Sequence, residues 1–273
     1  MTRRLSGILA ASLARVARLQ PQRAALRREA AGAPDPPGWN AAFGGPEVAV
    51  IGEVKRRSPS AGAIAEGLSP AAHARSYVAG GAVAISVLTD EVHFGGSLGD
   101  LDEVRQAVRV PLLRKDFILD ETQLYEARIH GASAVLLIVR ALAPEALREL
   151  SACARELGLA RLVEVHGRGE LDAALDVAPD IVGVNARDLD TFAVDLEAIE
   201  RVLRAVPAGT IAVAESGLGS RADIERVAGW GADAVLVGTA VAAAADPAEA
   251  VRRLTGVARI GRGAANIGVE RDR

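Results

Sequence analysis

Among the 32 basic residues of this 273-residue chain only Lys55 and Lys115 are lysines, and every other one is arginine. An ammonium can shift its pKa and release a proton where a guanidinium cannot. In an arginine-dominated chain these two are therefore the first candidates for acid–base chemistry. Each closes a short apolar run, VAVIGEVK at 48–55 and VPLLRK at 110–115. Glutamates recur in the same setting: Glu53 two residues before Lys55, Glu164 in RLVEVH, and Glu215 in TIAVAESG. A carboxylate or ammonium beside a core needs an opposite charge or a ligand to offset its desolvation. A structural ion pair explains any one such strand end. Several at the ends of separate strands point to a common site. After Lys55 follow Arg56, Arg57, Ser58, Pro59, Ser60 and Gly62: cations, hydroxyls and pliable backbone suited to an anionic ligand.

The elements that must position these groups are legible from period and punctuation. In the first run Val48, Val50 and Val54 share one face of a strand while Ile51, Glu53 and Lys55 share the other. Strands are predicted over 48–55, 82–89, 110–116, 134–139, 161–166, 181–187, 210–216 and 234–238, with a helical stretch after each. Glycines at Gly80-Gly81, Gly131, Gly158 and Gly231 mark helix ends. Eight βα units in one chain predict an α/β fold, a (β/α)8 TIM barrel. An open doubly wound sheet is the alternative, but no GxGxxG turn follows the first strand. Residues 1–46 are expected to form an N-terminal accessory helix (Leu5 to Arg18) and a Pro- and Gly-containing linker, 47–258 the barrel, and 259–273 a tail.

Composition narrows the ligand. A formal charge of −3, few aromatics and no basic run exclude a nucleic-acid binder, so any anion must be held locally. A single cysteine and four scattered histidines offer no disulfide framework, metal-ligand cluster or cofactor motif. A reducing cytoplasm is the expected compartment. The arginine-rich first 28 residues could be a targeting peptide, yet they lack an apolar span, and a helix docked on the barrel is expected instead.

A barrel of this kind carries its chemistry at the C-terminal ends of its strands. There the sequence delivers Glu53 and Lys55; Arg114, Lys115 and Asp116 before Phe117; Glu164 and His166; Asn185 and Arg187; Glu215 and Ser216; Gly238 and Thr239. The glycine-containing turns Ser216-Gly217-Leu218-Gly219 and Gly238-Thr239 follow the seventh and eighth strands, where barrels commonly hold phosphate.

These blocks carry a resemblance to the indole-3-glycerol-phosphate synthase family: GEVKRRSPSAG at 52–62, LTD with HFGGS within 88–97, PLLRKDFILDETQLYEAR at 111–128, LVEVH at 162–166, VGVNARDLDTF at 182–192 and AESG at 214–217. The chain departs from that pattern in its arginine-rich N-terminal helix and in Thr239-Ala240-Val241-Ala242, where a bulkier Leu-Met continuation is expected. The resemblance implies ring closure, decarboxylation and dehydration of 1-(2-carboxyphenylamino)-1-deoxyribulose 5-phosphate. It implies Lys115 as general acid, Glu164 assisting dehydration, Lys55 on the anthranilate carboxylate, and Glu53 and Asn185 orienting groups around it. Ser58, Phe94, Phe117, Arg187 and Glu215 would contact substrate, and Ser216, Gly217, Gly238 and Thr239 its phosphate. No metal or cofactor is implied. Phosphoribosylanthranilate isomerase, another phosphate-binding barrel enzyme, and a non-catalytic binding barrel are the alternatives. Whether Lys115 is pushed down by its neighbour Lys55 or up by the glutamates is open at this stage.

Overall fold

The computed structural model of the chain describes residues 3–262 apart from positions 60, 61, 65, 66 and 68. Its parallel strands β1 (Ala49–Val54), β2 (Ala84–Leu88), β3 (Leu112–Lys115), β4 (Ala134–Ile138), β5 (Ala160–Val165), β6 (Ile181–Asn185), β7 (Ile211–Glu215) and β8 (Ala234–Val237) follow one another round a closed barrel. Closure falls at β1, which pairs Ile51 with Ala84 of β2 and Ala49 with Ala234 of β8. The expected barrel is the fold, and the open sheet is excluded. Alternation along β1 separates two cores. Val48, Val50 and Val54 pack outward under the helices, whereas Ala49 and Ile51 join Leu113, Leu136, Leu162, Val213 and Leu236 in the barrel interior. Gly52 faces outward too: a Cβ there would lie 2.6 Å from Tyr77 Cδ2, so glycine is what lets the next helix pack against the strand.

The α-helices of six or more residues are α1 (Arg3–Leu19), α2 (Arg23–Gly32), α3 (Pro70–Ala79), α4 (Leu98–Ala107), α5 (Glu121–Ile129), α6 (Pro144–Glu156), α7 (Arg168–Asp176), α8 (Leu196–Leu203), α9 (Arg221–Gly229) and α10 (Pro247–Arg252). Local chemistry fixes their starts. Asp120 and Gln123 form a reciprocal capping box on α5, as Ser220 and Asp223 do on α9.

The N-terminal segment holds two α-helices where one was expected, and between Gly32 and Asn40 the described chain has no helix or strand. Leu5, Ile8, Leu9, Ser12 and Val16 of α1 are buried on the barrel, while Leu13 of the same helix is 55% exposed. The expected linker contains the buried Trp39, stacked at a tilt on Phe43. The loop after β1 is a short antiparallel hairpin, Arg57–Ser58 against Gly62–Ala63; Ser60 lies outside the described residues. No helix among the described residues is long and apolar enough to cross a membrane.

Candidate active site

The last inward-facing positions of β1, β3, β5 and β7 are Glu53, Lys115, Glu164 and Glu215. Alternate strands of such a barrel contribute side chains to a common layer, and here the layer is charged. Lys115 Nζ donates to Glu215 Oε2 at 2.8 Å and lies 3.4 Å from Glu53 Oε2. Lys55, one turn of alternation above Glu53, donates to Glu53 Oε1 at 2.5 Å. One carboxylate is thus shared by both lysines. Burial alone pushes the Glu53 carboxyl up, but the two ammonium groups outweigh it and hold it down at about 2. Burial likewise pulls Lys115 down, and Glu215, Glu53 and Glu164 overcome that, keeping its ammonium above the ordinary lysine range. The glutamates therefore win the contest left open by the sequence. Glu215 is pushed up by burial, against the pull of Lys115 and with Glu164 and Glu53 adding, to about 7. Among the described residues its Oε1 has no hydrogen-bond partner.

Above this layer opens a cavity of about 590 Å³. Its lining includes the apolar side chains of Phe94, Phe117, Leu136, Ile138, Leu189 and Phe192 together with the charged layer and the hairpin residue Ser58. Asn185 is fixed by the loop after β6: its Oδ1 accepts the backbone N–H of Arg187 at 2.9 Å, which leaves its amide free to donate. Arg187 Nη1 in turn donates to Phe192 O at 3.0 Å. Also in the lining, Ser216 (φ 69°) and Gly217 (φ 74°) turn the chain through two left-handed residues after β7. A non-glycine such as Ser216 held there costs on the order of 1 kcal/mol. The N–H groups of Gly219 and Ser220 are taken by Asp223 Oδ2 at 3.2 and 2.9 Å. The short helix Thr239–Ala242 starts on Gly238 without a side-chain cap, so its first N–H groups are the better placed donors for an anion.

The sequence profile of the indole-3-glycerol phosphate synthase family matches residues 6–254. The chain belongs to this family. The indole-3-glycerol phosphate synthase of Mycobacteroides abscessus is 49% identical over 231 residues, 85% of each chain. Indole-3-glycerol phosphate synthase 1 of Streptomyces coelicolor is 52% identical over 214 residues, covering 78% of this chain and 80% of that one. Among solved structures, thiamine phosphate pyrophosphorylase from Pyrococcus furiosus superposes with a TM-score of 0.56 at 19% identity, over 76% of this chain and 93% of that one, which speaks for the barrel alone.

Of the residues marked in the sequence of this indole-3-glycerol phosphate synthase family member, Glu53, Lys55, Ser58, Phe94, Lys115, Phe117, Glu164, Asn185, Arg187, Ser216, Gly217, Gly238 and Thr239 all line the one cavity. Glu215 does not; it lies beneath, fully buried, and reaches the cavity only through Lys115. Arg114, grouped with the rim by its position, points outward instead. It is fully buried, and donates to Asp116 Oδ2 at 3.0 Å and Glu126 Oε2 at 3.1 Å. Arg15 of α1 reaches the same carboxylates at 2.8 and 2.7 Å, and Ser12 Oγ donates to Phe117 O at 2.6 Å. The accessory helix thus braces the segment that carries Lys115 and Phe117. Gly238 has a second task besides starting the short helix Thr239–Ala242, because a Cβ there would lie 3.1 Å from Lys55 Nζ and closer still to Glu53 Oε1. Sequence reasoning missed Leu189 and Phe192, whose loop has no periodicity to betray a wall. The NARDLDTF block named by the resemblance was the available signal. Among the described residues no group of three or more His, Cys, Asp or Glu side chains is placed to hold a metal ion.

Proposed function

We propose that this family member closes the indole ring of 1-(2-carboxyphenylamino)-1-deoxyribulose 5-phosphate with Lys115 as the general acid. The observation that supports it most is the meeting of both lysines with three glutamates under an apolar wall, because the substrate is an aromatic ring flanked by two anions. The anthranilate ring lies against Phe94, Phe117 and the aliphatic wall, its carboxylate takes Lys55, and its phosphate takes the end formed by Ser216, Gly217, Gly238 and Thr239. The aromatic carbon that bears the carboxylate attacks the ribulose C2 carbonyl, whose oxygen receives the Lys115 proton. Carbon dioxide then leaves and restores the electron pair to the ring. Glu164 assists the last step, in which the new hydroxyl takes a proton and departs as water while the adjacent carbon, formerly ribulose C1, gives up a proton and the indole becomes aromatic. Glu53, held as a carboxylate by both lysines, and Asn185, with its amide free to donate, orient the groups around the reacting carbons. Ser58 and Arg187 are further substrate contacts, and Glu215 supports Lys115 from below.

Lys115 surrounded by carboxylates is fully charged at neutral pH, and after giving up its proton it regains one readily. A cytoplasmic enzyme working on a phosphorylated small molecule, without nucleic acid or membrane, fits the composition. Purified protein supplied with the ribulotide should produce indole fluorescence and release one carbon dioxide per turnover. Isomerisation without carbon dioxide, or tight binding without turnover, would point to the isomerase or the binding barrel instead.

A further inference from the structure

Behind Glu164 lies a histidine to which the reaction above assigns no task. His166 follows Glu164 by two residues, so strand alternation sends both side chains to one side. Its side chain is 2% exposed and lies between two carboxylates, with Nε2 3.4 Å from Glu164 Oε1 and Nδ1 3.5 Å from Glu170 Oε2. Among the described residues neither ring nitrogen has a partner at hydrogen-bonding geometry, so these two carboxylates face the ring as close charges. Glu170, in the first turn of α7, is itself firmly held: Oε2 accepts the backbone N–H of His166 at 2.8 Å, and Oε1 accepts Arg140 Nε at 3.0 Å. Arg140 Nη1 continues to Asp188 Oδ2 at 3.0 Å, and Asp188 Oδ1 accepts the N–H groups of Asp190 and Thr191 at 3.0 and 2.8 Å. A line of alternating charge therefore runs from the cavity through His166 to the loop that carries Leu189 and Phe192.

The arrangement has a proton requirement. A neutral imidazole carries one N–H and can serve only one of two facing carboxylates, whereas an imidazolium carries two and can serve both. Burial works against the charged ring, but the close carboxylates of Glu170 and Glu164 outweigh it and the repulsion of Arg140, so the ring holds its proton above the ordinary histidine value. The groups facing His166 are thus Glu164 from β5, Glu170 from α7, and Arg140 from the turn after β4 with Asp188 behind it.

We propose that His166 is a positioning residue for Glu164: as an imidazolium braced by Glu170, it fixes the orientation in which the Glu164 carboxylate meets the departing hydroxyl. This rests on the assignment of dehydration to Glu164, and the two can fail separately. Glu164→Gln tests that assignment by itself, since it should slow formation of indole more than consumption of substrate, whatever His166 does.

The test of His166 is a set of pH–rate profiles for wild type, His166→Gln and His166→Ala, together with NMR titration of the wild-type imidazole, assigned by its absence in His166→Gln. Loss of the ring proton should appear as an alkaline limb in the wild-type kcat profile. Glutamine donates at every pH, so His166→Gln should lack that limb and should turn over well above His166→Ala, which should lose about tenfold or more. Glu170→Gln should lower the midpoint of the ring titration by about one pH unit. An unchanged alkaline limb in His166→Gln, equal turnover of the glutamine and alanine variants, or a ring titration indifferent to Glu170→Gln would each overturn the proposal. If His166→Ala does not fold, the titration in wild type and Glu170→Gln decides.

Discussion

Gly183→Ala tests whether the charged layer needs each member where it stands. Gly183 lies on the interior face of β6, paired in register with Glu164 of β5. A methyl built on it would lie 2.6 Å from Leu162 Cδ2 and closer still to Glu215 Oε1. Ordinary contact distances are about 3.5–4.0 Å. Both neighbours would have to retreat by roughly 1 Å, and both are fully buried with nowhere open to go. Overpacking of this kind costs about 1–3 kcal/mol, which for a chain of this size lowers Tm by about 2–4 °C per kcal/mol. The larger effect should be kinetic. Glu215 cannot shift without loosening its 2.8 Å hydrogen bond with Lys115, and a proton donor misplaced by about 1 Å loses on the order of 100-fold in rate. Steady-state kinetics by indole fluorescence, with thermal unfolding in parallel, measures both. Gly209→Ala is the control, because a methyl there meets nothing within 4 Å. If Gly183→Ala keeps kcat/KM within about threefold of wild type, Glu215 is not held in place by this glycine and the linkage to Lys115 is wrong.

The two lysines should separate in their effects. Lys115→Ala should cut kcat on the order of 100-fold or more with substrate affinity retained, and Lys115→Arg should not restore it, since a guanidinium keeps its proton; Lys55→Ala should weaken substrate binding as well, which a ligand titration reads. The cations bracing the accessory helix should differ in stability cost, read as denaturant midpoints: Arg114→Met, at a fully buried site, should cost about 3–5 kcal/mol, and Arg15→Met less, about 1–2 kcal/mol, because Arg114 still faces both carboxylates. Glu53, held at about 2 in the fold against an ordinary 4.5, contributes stability that is complete above about pH 4.5 and lost as pH falls through 2, amounting to about 3 kcal/mol. Denaturant unfolding between pH 5 and 2.5 should therefore fall more steeply for wild type than for Glu53→Gln, and parallel slopes would show that Glu53 is not depressed.

The barrel and most of the site were legible because both depend on a period of two. Val48, Val50 and Val54 against Ile51, Glu53 and Lys55 give the outward and inward faces of β1 with no further information, and the same rule places Lys115 above Leu113 and Glu164 above Leu162. Arg114 shows where the rule was not carried far enough. Alternation puts it opposite Lys115, and only the positions of Arg15, Asp116 and Glu126 explain how a guanidinium can be buried there. Glu215 shares its face with Val213 and looks like a rim residue, yet its depth below the cavity depends on strand stagger, which a single strand does not reveal. The second helix, α2, was hidden because Pro21 breaks the helical pattern and Arg23–Gly32 offers few apolar residues to mark a new face. Long-range pairs such as Ser12 with Phe117 leave no local trace in sequence at all.

The shared carboxylate of Glu53 has a consequence for how the chain reaches its native state. Its partners Lys55 and Lys115 come from β1 and the segment ending β3, but the second partner of Lys115, Glu215, ends β7, and closure needs β8 against β1. A growing chain that has formed only its first half-barrel holds two ammonium groups against one carboxylate, with that layer open to water. Burying it early would strand an unpaired charge at a cost of several kcal/mol. The charged layer therefore penalises partial barrels, and dry packing of this end must wait until the last strands arrive from the ribosome.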